Sequence, residues 1–227
     1  MFNFVVDINF IPPTESPILC APRSADSAGI RVGKQMGRRL IKWVSRYPEK
    51  SQGIKLKYLR SDNGRMTEFA SMLAERGFTC LEVDLAPPKD RQSNADTLMH
   101  YFGTELSSHI RLCAIPFPPV IFARSFGSLI AQTYISSYPA SGLLLISPPV
   151  SNEAVPSALL PSSLREFDFE PKFPCGILYA QGEMKRLEHN RLWRDPNVDR
   201  LMVKDTGAID GREGQAKIEQ WLDEIGV

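Results

Sequence analysis

Hydrophobic residues occur in two patterns along this chain, and each pattern predicts a different kind of strand. At every second position from Phe2 to Phe10 the residue is apolar, which predicts a half-buried strand closed by Pro12. Later runs, such as 120–123 and 143–146, are apolar throughout and predict strands that are covered on both faces. The second pattern is typical of a parallel sheet.

Predicted helices alternate with predicted strands from residue 54 onward. The strands are expected at 54–59, 78–83, 119–123, 142–146, 176–180 and 201–203. The helices are expected at 67–76, 94–112, 127–137, 186–193 and 213–225. Residues 151–172 are rich in Pro, Ser and Glu and are expected to form a very short lid. This alternation predicts a single α/β domain, with a mostly parallel central sheet and helices on both faces.

The segment 23–50 differs from the rest of the chain because eight of its residues are Lys or Arg and only two are acidic. Its apolar residues recur on one helical face, which predicts a basic amphipathic helix. This helix has three possible interpretations: a surface helix with its basic side in solvent, a targeting helix, or a contact for an acidic or membrane partner. The residues expected in such a contact are Arg38, Arg39 and Lys42. Residues 1–50 are therefore part of, or appended to, a main domain at 51–227.

Composition is that of a soluble globular protein. The 227 residues are 43% apolar and 23% charged, and a net charge of +1 gives no overall field for nucleic acid. The four cysteines form no CxxC pair, and no nucleotide-binding glycine motif or metal-ligand cluster occurs. We therefore predict no cofactor and no metal, and the sequence contains no specific nucleic-acid-binding motif. The predicted location is intracellular, either cytoplasmic or mitochondrial.

Candidate chemistry lies where the predicted strand 119–123 meets the predicted helix 127–137. There Ser125 has Ala123 two positions before it and Gly127 two positions after it. A serine in a tight strand-to-helix turn needs small neighbours at these positions, because the backbone passes close to them. The first amides of the following helix can stabilise an oxyanion. Ser125 is thus a candidate nucleophile, and the alternative is a small residue that caps the helix.

The sequence around Ser125 resembles the nucleophile motif of the α/β-hydrolase family, G-x-S-x-G, with alanine in the first position. Arg76-Gly77-Phe78 followed by Asp84 is similar to a second passage of that family, so the resemblance covers roughly residues 54 to 227. It implies an α/β-hydrolase-like fold and a small ester or lipid-like substrate. It also implies an oxyanion hole made by the amide of Phe126 and by an amide near Asp62.

The chain differs from the family at the positions of both catalytic partners of the serine, the acid and the histidine. Lys185 stands where the family has its catalytic acid, and Ala208 stands where it has its histidine. Glu183 is the nearest alternative acid. The chain has three histidines, all expected at the surface: His100, His109 and His189. A serine without a base is a weak nucleophile, so hydrolysis is expected to be slow at best.

Two functional hypotheses therefore remain open. The first is a serine hydrolase of small esters, thioesters or lipids, in which Ser125 is the nucleophile and an unorthodox residue is the base. The second is a catalytically inactive protein of the same fold that acts as a binding or scaffold subunit, because a site can lose its chemistry and keep its pocket.

Overall fold

The computed structural model describes residues 4–10, 41–42, 65–88 and 94–227. Several sequence predictions lie outside these residues. They are the strand at 54–59, the oxyanion donor near Asp62, and the contact residues Arg38 and Arg39.

Within the described ranges, seven strands form one sheet in the order β2-β3-β1-β4-β5-β6-β7, and every described pairing is parallel. The strands are β1 (Phe4–Phe10), β2 (Ile41–Lys42), β3 (Thr79–Leu85), β4 (Val120–Arg124), β5 (Gly142–Ile146), β6 (Cys175–Ala180) and β7 (Val198–Val203). The predicted α/β class with a parallel sheet is therefore confirmed.

In the described part of the chain, six helices connect or follow these strands. They are α1 (Arg65–Glu75), α2 (Ala95–Leu112), α3 (Gly127–Ile135), α4 (Met184–Leu187), α5 (Thr206–Ile209) and α6 (Arg212–Glu224). Short 3-10 turns occupy Gln181–Glu183 and Leu192–Arg194, so the helix predicted at 186–193 is divided. Residues 151–172 contain no helix or strand, and their role as a lid stays a prediction. None of the described helices is long and apolar enough to cross a membrane.

Two hydrophobic cores cover the two faces of the sheet. Along β4, Ile121 and Ala123 belong to the core that includes α2 and α3. Val120 and Phe122 belong to the core that includes α1 and α6. Successive side chains of a strand point to opposite faces, so a strand between two helical layers must be apolar throughout. This explains why the apolar runs predicted the interior strands.

Local signals in the sequence set the helix ends. Asn94 caps α2, since its side chain accepts a hydrogen bond of 2.8 Å from the amide of Asp96. Gly77 follows α1 with a φ of 95°, a conformation in which glycine lacks the steric penalty of other residues. The amide of Phe78 then donates to the carbonyl of Leu73 at 3.1 Å. These signals place the helix ends within one or two residues of the prediction.

One prediction for the amino-terminal part needs correction. The strand predicted at this end is present as β1, which pairs with β3 on one side and β4 on the other, and its alternate residues Val6 and Ile8 are buried. The prediction of a basic helix is wrong at Ile41–Lys42, because these two residues form the short edge strand β2. This pairing uses the open backbone groups of β3, and a β-branched residue such as Ile41 suits an extended chain.

Candidate active site

Ser125 lies in the turn between β4 and α3, at the carboxyl end of the sheet. Its φ is 48°, in the left-handed region that a non-glycine residue occupies only at a cost. The amide of Ser125 donates to the carbonyl of Ile146 at 3.0 Å, which extends the β4–β5 ladder by one residue. The side chain is exposed, whereas the next residue, Phe126, is buried. The turn therefore presents the serine hydroxyl at the surface of the sheet edge.

The small residues on either side of Ser125 are required by the close approach of β1. A Cβ atom on Gly127 would lie 3.2 Å from the carbonyl oxygen of Ile8 and 4.0 Å from the Cβ atom of Ala123. The first distance is tighter than ordinary van der Waals contact, so a side chain at Gly127 would push against the backbone of the neighbouring strand. The spacing that predicted the turn from the sequence is thus explained by packing.

The two positions where the family has its acid and its histidine are occupied by other residues. Lys185 lies on α4 and is exposed. Ala208 lies in α5, and its amide donates to the carboxylate of Asp205, the capping residue of that helix, at 2.9 Å. Neither side chain can accept a proton from Ser125 in the manner of a histidine.

The three histidines lie elsewhere. His100 and His109 are on α2, the first exposed and the second partly exposed, and His189 is exposed after α4. Within the described part of the chain, the hydroxyl of Ser125 makes no hydrogen bond to any side chain. Among the described residues, no histidine or carboxylate side chain is hydrogen-bonded to Ser125, and its assignment as nucleophile stays a prediction.

A buried ion pair lies next to the serine. The guanidinium of Arg124 binds the carboxylate of Asp210 through two hydrogen bonds, of 2.7 and 3.2 Å. The two side chains are only 12% and 9% exposed. This pair joins the end of β4 to the loop between α5 and α6. Arg124 is the last residue of β4, and Asp210 lies in the segment that follows β7. The carboxyl ends of parallel strands lie at the same edge of a sheet, so these two segments come close together.

A second polar cluster lies one strand further along. Ser147 directly follows β5 with a φ of 45°, and its hydroxyl donates to Oε2 of Glu183 at 2.7 Å. The same carboxylate accepts the amide of Ala180 at 3.1 Å and pairs with Arg186 at 2.6 Å. Glu183, the alternative acid considered from the sequence, is therefore in contact with a serine, but the contact is with Ser147. Ser147 could not be recognised from the sequence, because no motif surrounds it.

A groove of about 280 Å³ lies on another part of the surface, between α2, α3 and the lid segment. Its walls include Asp96, His100, Thr133, Leu164 and Phe167. Neither Ser125 nor Ser147 lines it. Among the described residues, no group of three or more His, Cys, Asp or Glu side chains is placed to hold a metal ion.

The fold resembles several solved hydrolase structures. One is a hydrolase of the alpha/beta superfamily from Xanthomonas campestris pv. campestris, with a TM-score of 0.47, 20% identity, and coverage of 70% of this chain and 90% of that one. MenH from S. aureus has a TM-score of 0.49 and 15% identity, with 74% and 91% covered. The Paleococcus ferrophilus monoacylglycerol lipase has a TM-score of 0.49 and 15% identity, with 72% and 90% covered. No protein-family model and no curated protein matches the sequence.

This chain has an α/β-hydrolase-like fold. The assignment rests on the parallel sheet, on helices packed against both faces, and on a serine with positive φ between a buried strand and a helix. The similar structures share 20% or less of their sequence with this chain, so they say nothing about its activity. In an α/β-hydrolase fold one oxyanion amide follows the nucleophile and the other comes from a different loop. The second donor near Asp62 stays a prediction.

Proposed function

We propose that this protein is a serine hydrolase that acts slowly on small esters, thioesters or lipid-like acyl compounds, with Ser125 as the nucleophile. The observation that carries the proposal is the conformation of Ser125, which is exposed at a φ of 48° directly before α3. Strain of this kind persists only where the surrounding structure enforces it, and it often marks functional sites. The amide of Phe126, at the start of α3, is the expected first oxyanion donor.

A second candidate function is binding without catalysis. Lys185 and Ala208 favour it, because they remove the acid and the base that normally activate the serine. In this case the edge of the sheet would hold an acyl ligand without cleaving it. Arg38, Arg39 and Lys42 would then be candidates for contact with an acidic partner or an anionic membrane.

A covalent probe separates the two candidates. The purified protein is treated with a fluorophosphonate, and turnover of short p-nitrophenyl esters is followed. The same measurements are made on Ser125→Ala and on Ser137→Ala, a control that removes an exposed hydroxyl beyond α3. The hydrolase proposal expects labelling and turnover that disappear in the first variant and persist in the second. Absence of labelling in protein that melts cooperatively would favour the binding function.

A further inference from the structure

The connection between α2 and β4 is an exposed segment without a charged side chain. It runs from the last residue of α2 through residues 112–118, Leu-Cys-Ala-Ile-Pro-Phe-Pro. Leu112 is 70% exposed and Phe117 is 52% exposed. Ala114, Pro116 and Pro118 are exposed as well. Connections are normally polar, and a run of exposed apolar residues indicates an interaction surface.

A second connection, between α3 and β5, lies against the first. The hydroxyl of Ser141 donates to the carbonyl of Pro118 at 2.8 Å, and its amide donates to the carbonyl of Pro119 at 2.8 Å. Residues 136–141, Ser-Ser-Tyr-Pro-Ala-Ser, also contain no charge. The ring of Tyr138 is stacked on Tyr134, with centroids 5.0 Å apart. We call residues 112–118 and 136–141 the amino-edge patch, because they precede the parallel strands β4 and β5.

The turn that carries the patch has a defined conformation. Ala114 has a φ of 52°, and its amide donates to the carbonyl of Arg111 at 3.1 Å. A positive φ in a residue other than glycine persists only where the surrounding structure enforces it. The neighbouring side chains of Cys113 and Ile115 are packed against the hydrophobic core. Leu112 and Phe117 are therefore presented to solvent by an ordered turn.

Charge and size indicate what the patch binds. Arg111 is exposed directly before Leu112, whereas Glu105 on the same helix lies about 10 Å further from the turn. A stable protein complex buries roughly 800 Å² on each partner, and an aromatic side chain supplies about 150–250 Å² of this. Two large exposed side chains are too few for such a complex. An apolar tip beside a basic residue suits the interface of an anionic bilayer.

We propose that the amino-edge patch is a peripheral binding site for anionic phospholipid bilayers. Leu112 and Phe117 enter the boundary between headgroups and acyl chains, and Arg111 contacts headgroup phosphate. Ser125 lies at the other end of β4, whose five residues span about 17 Å. A protein bound in this way keeps the edge with Ser125 in water. The inference needs no reaction at Ser125, so it is independent of the hydrolase function proposed above.

Flotation of the full chain with vesicles tests the site. The vesicles contain phosphatidylcholine alone or mixed with phosphatidylglycerol. Leu112→Ser and Phe117→Ser are each expected to lower partitioning into the mixed vesicles about tenfold. Arg111→Gln is expected to lower it about fivefold and to leave partitioning into phosphatidylcholine unchanged. Met202→Ser is the matched control, because Met202 is a large hydrophobic side chain on β7 that is 42% exposed and lies outside the patch.

A fluorescent reporter separates insertion from attraction to the surface. Phe117→Trp is expected to emit at shorter wavelength when mixed vesicles are added, and to be quenched by lipids brominated in their acyl chains. Met202→Trp is expected to show neither change. Both spectra are taken as differences from wild type, since the chain already contains three tryptophans.

Three outcomes would overturn the inference. Wild-type protein that binds neither kind of vesicle would do so directly. Binding that survives Leu112→Ser and Phe117→Ser, but disappears when Arg38 and Arg39 are both changed to Gln, would place the membrane contact on the basic segment. A dimer that both serine variants abolish, without vesicle binding, would show that the patch binds a second copy of the chain. Thermal unfolding of each variant checks that these exposed substitutions leave the fold intact.

Discussion

The end of β4 and the ends of β6 and β7 differ in how closely they match the sequence pattern of the α/β-hydrolases. At the end of β4 the serine, its positive φ and its small neighbours are all present. At the ends of β6 and β7, lysine and alanine stand at the acid and histidine positions. There the carboxylates bind Ser147 and two arginines.

Packing explains why the two regions differ. The backbone of β1 lies close to the turn at Ser125, so a Cβ atom at Gly127 would come within 3.2 Å of the carbonyl oxygen of Ile8. Lys185, in contrast, is exposed, and Ala208 is partly exposed on a four-residue helix. A nucleophile turn can therefore persist for structural reasons, and its presence alone does not establish a catalytic triad.

The largest expected effect comes from the ion pair that joins the two regions. Arg124→Met leaves the buried carboxylate of Asp210 without its bidentate partner and is expected to lower the free energy of unfolding by about 3 kcal/mol. Asp210→Leu is expected to cost a similar amount. The measurement is equilibrium unfolding in urea.

The double variant and a surface pair provide the controls. Arg124→Met with Asp210→Leu should cost clearly less than the sum of the single changes, because both charges of the pair are removed together. Arg165→Ala breaks the pair with Asp168, whose side chains are 85% and 86% exposed, and should change stability by no more than about 0.5 kcal/mol. Additive single effects would show that the two side chains do not act as a pair.

A smaller effect is expected from the contact that constrains the turn. Gly127→Ala places a Cβ atom 3.2 Å from the carbonyl oxygen of Ile8, so β1 or α3 must shift. We expect a loss of about 1–2 kcal/mol in the free energy of unfolding. Gly103→Ala on α2 is the matched control, since its Cβ would meet Thr133 at an ordinary 3.4 Å and alanine favours the helix. Equal effects of the two changes would show that the approach of β1 does not constrain the turn.

The sequence predicted well those features that depend on neighbours along the chain. The apolar runs located β4 and β5, and Asn94 and Gly77 located helix ends, because each signal acts within a few residues. The polar contacts were not predictable in this way. Glu183 lies 36 residues from Ser147, and Asp210 lies 86 residues from Arg124. Such pairs depend on strand order, and the alternation of elements does not fix that order.

The smallest expected effect comes from replacing each of the two serines that have a positive φ with glycine. Glycine adopts a positive φ without the penalty that serine bears, so Ser125→Gly should raise the free energy of unfolding by up to about 1 kcal/mol. Ser147→Gly relieves the same strain but also removes the hydrogen bond to Glu183, so the two effects should nearly cancel. Thermal unfolding of the two variants beside wild type measures the difference. If both glycines stabilised the protein equally, the hydrogen bond between Ser147 and Glu183 would contribute nothing to stability. A smaller gain at Ser147 would show that this contact stabilises the edge where the acid and histidine positions have changed.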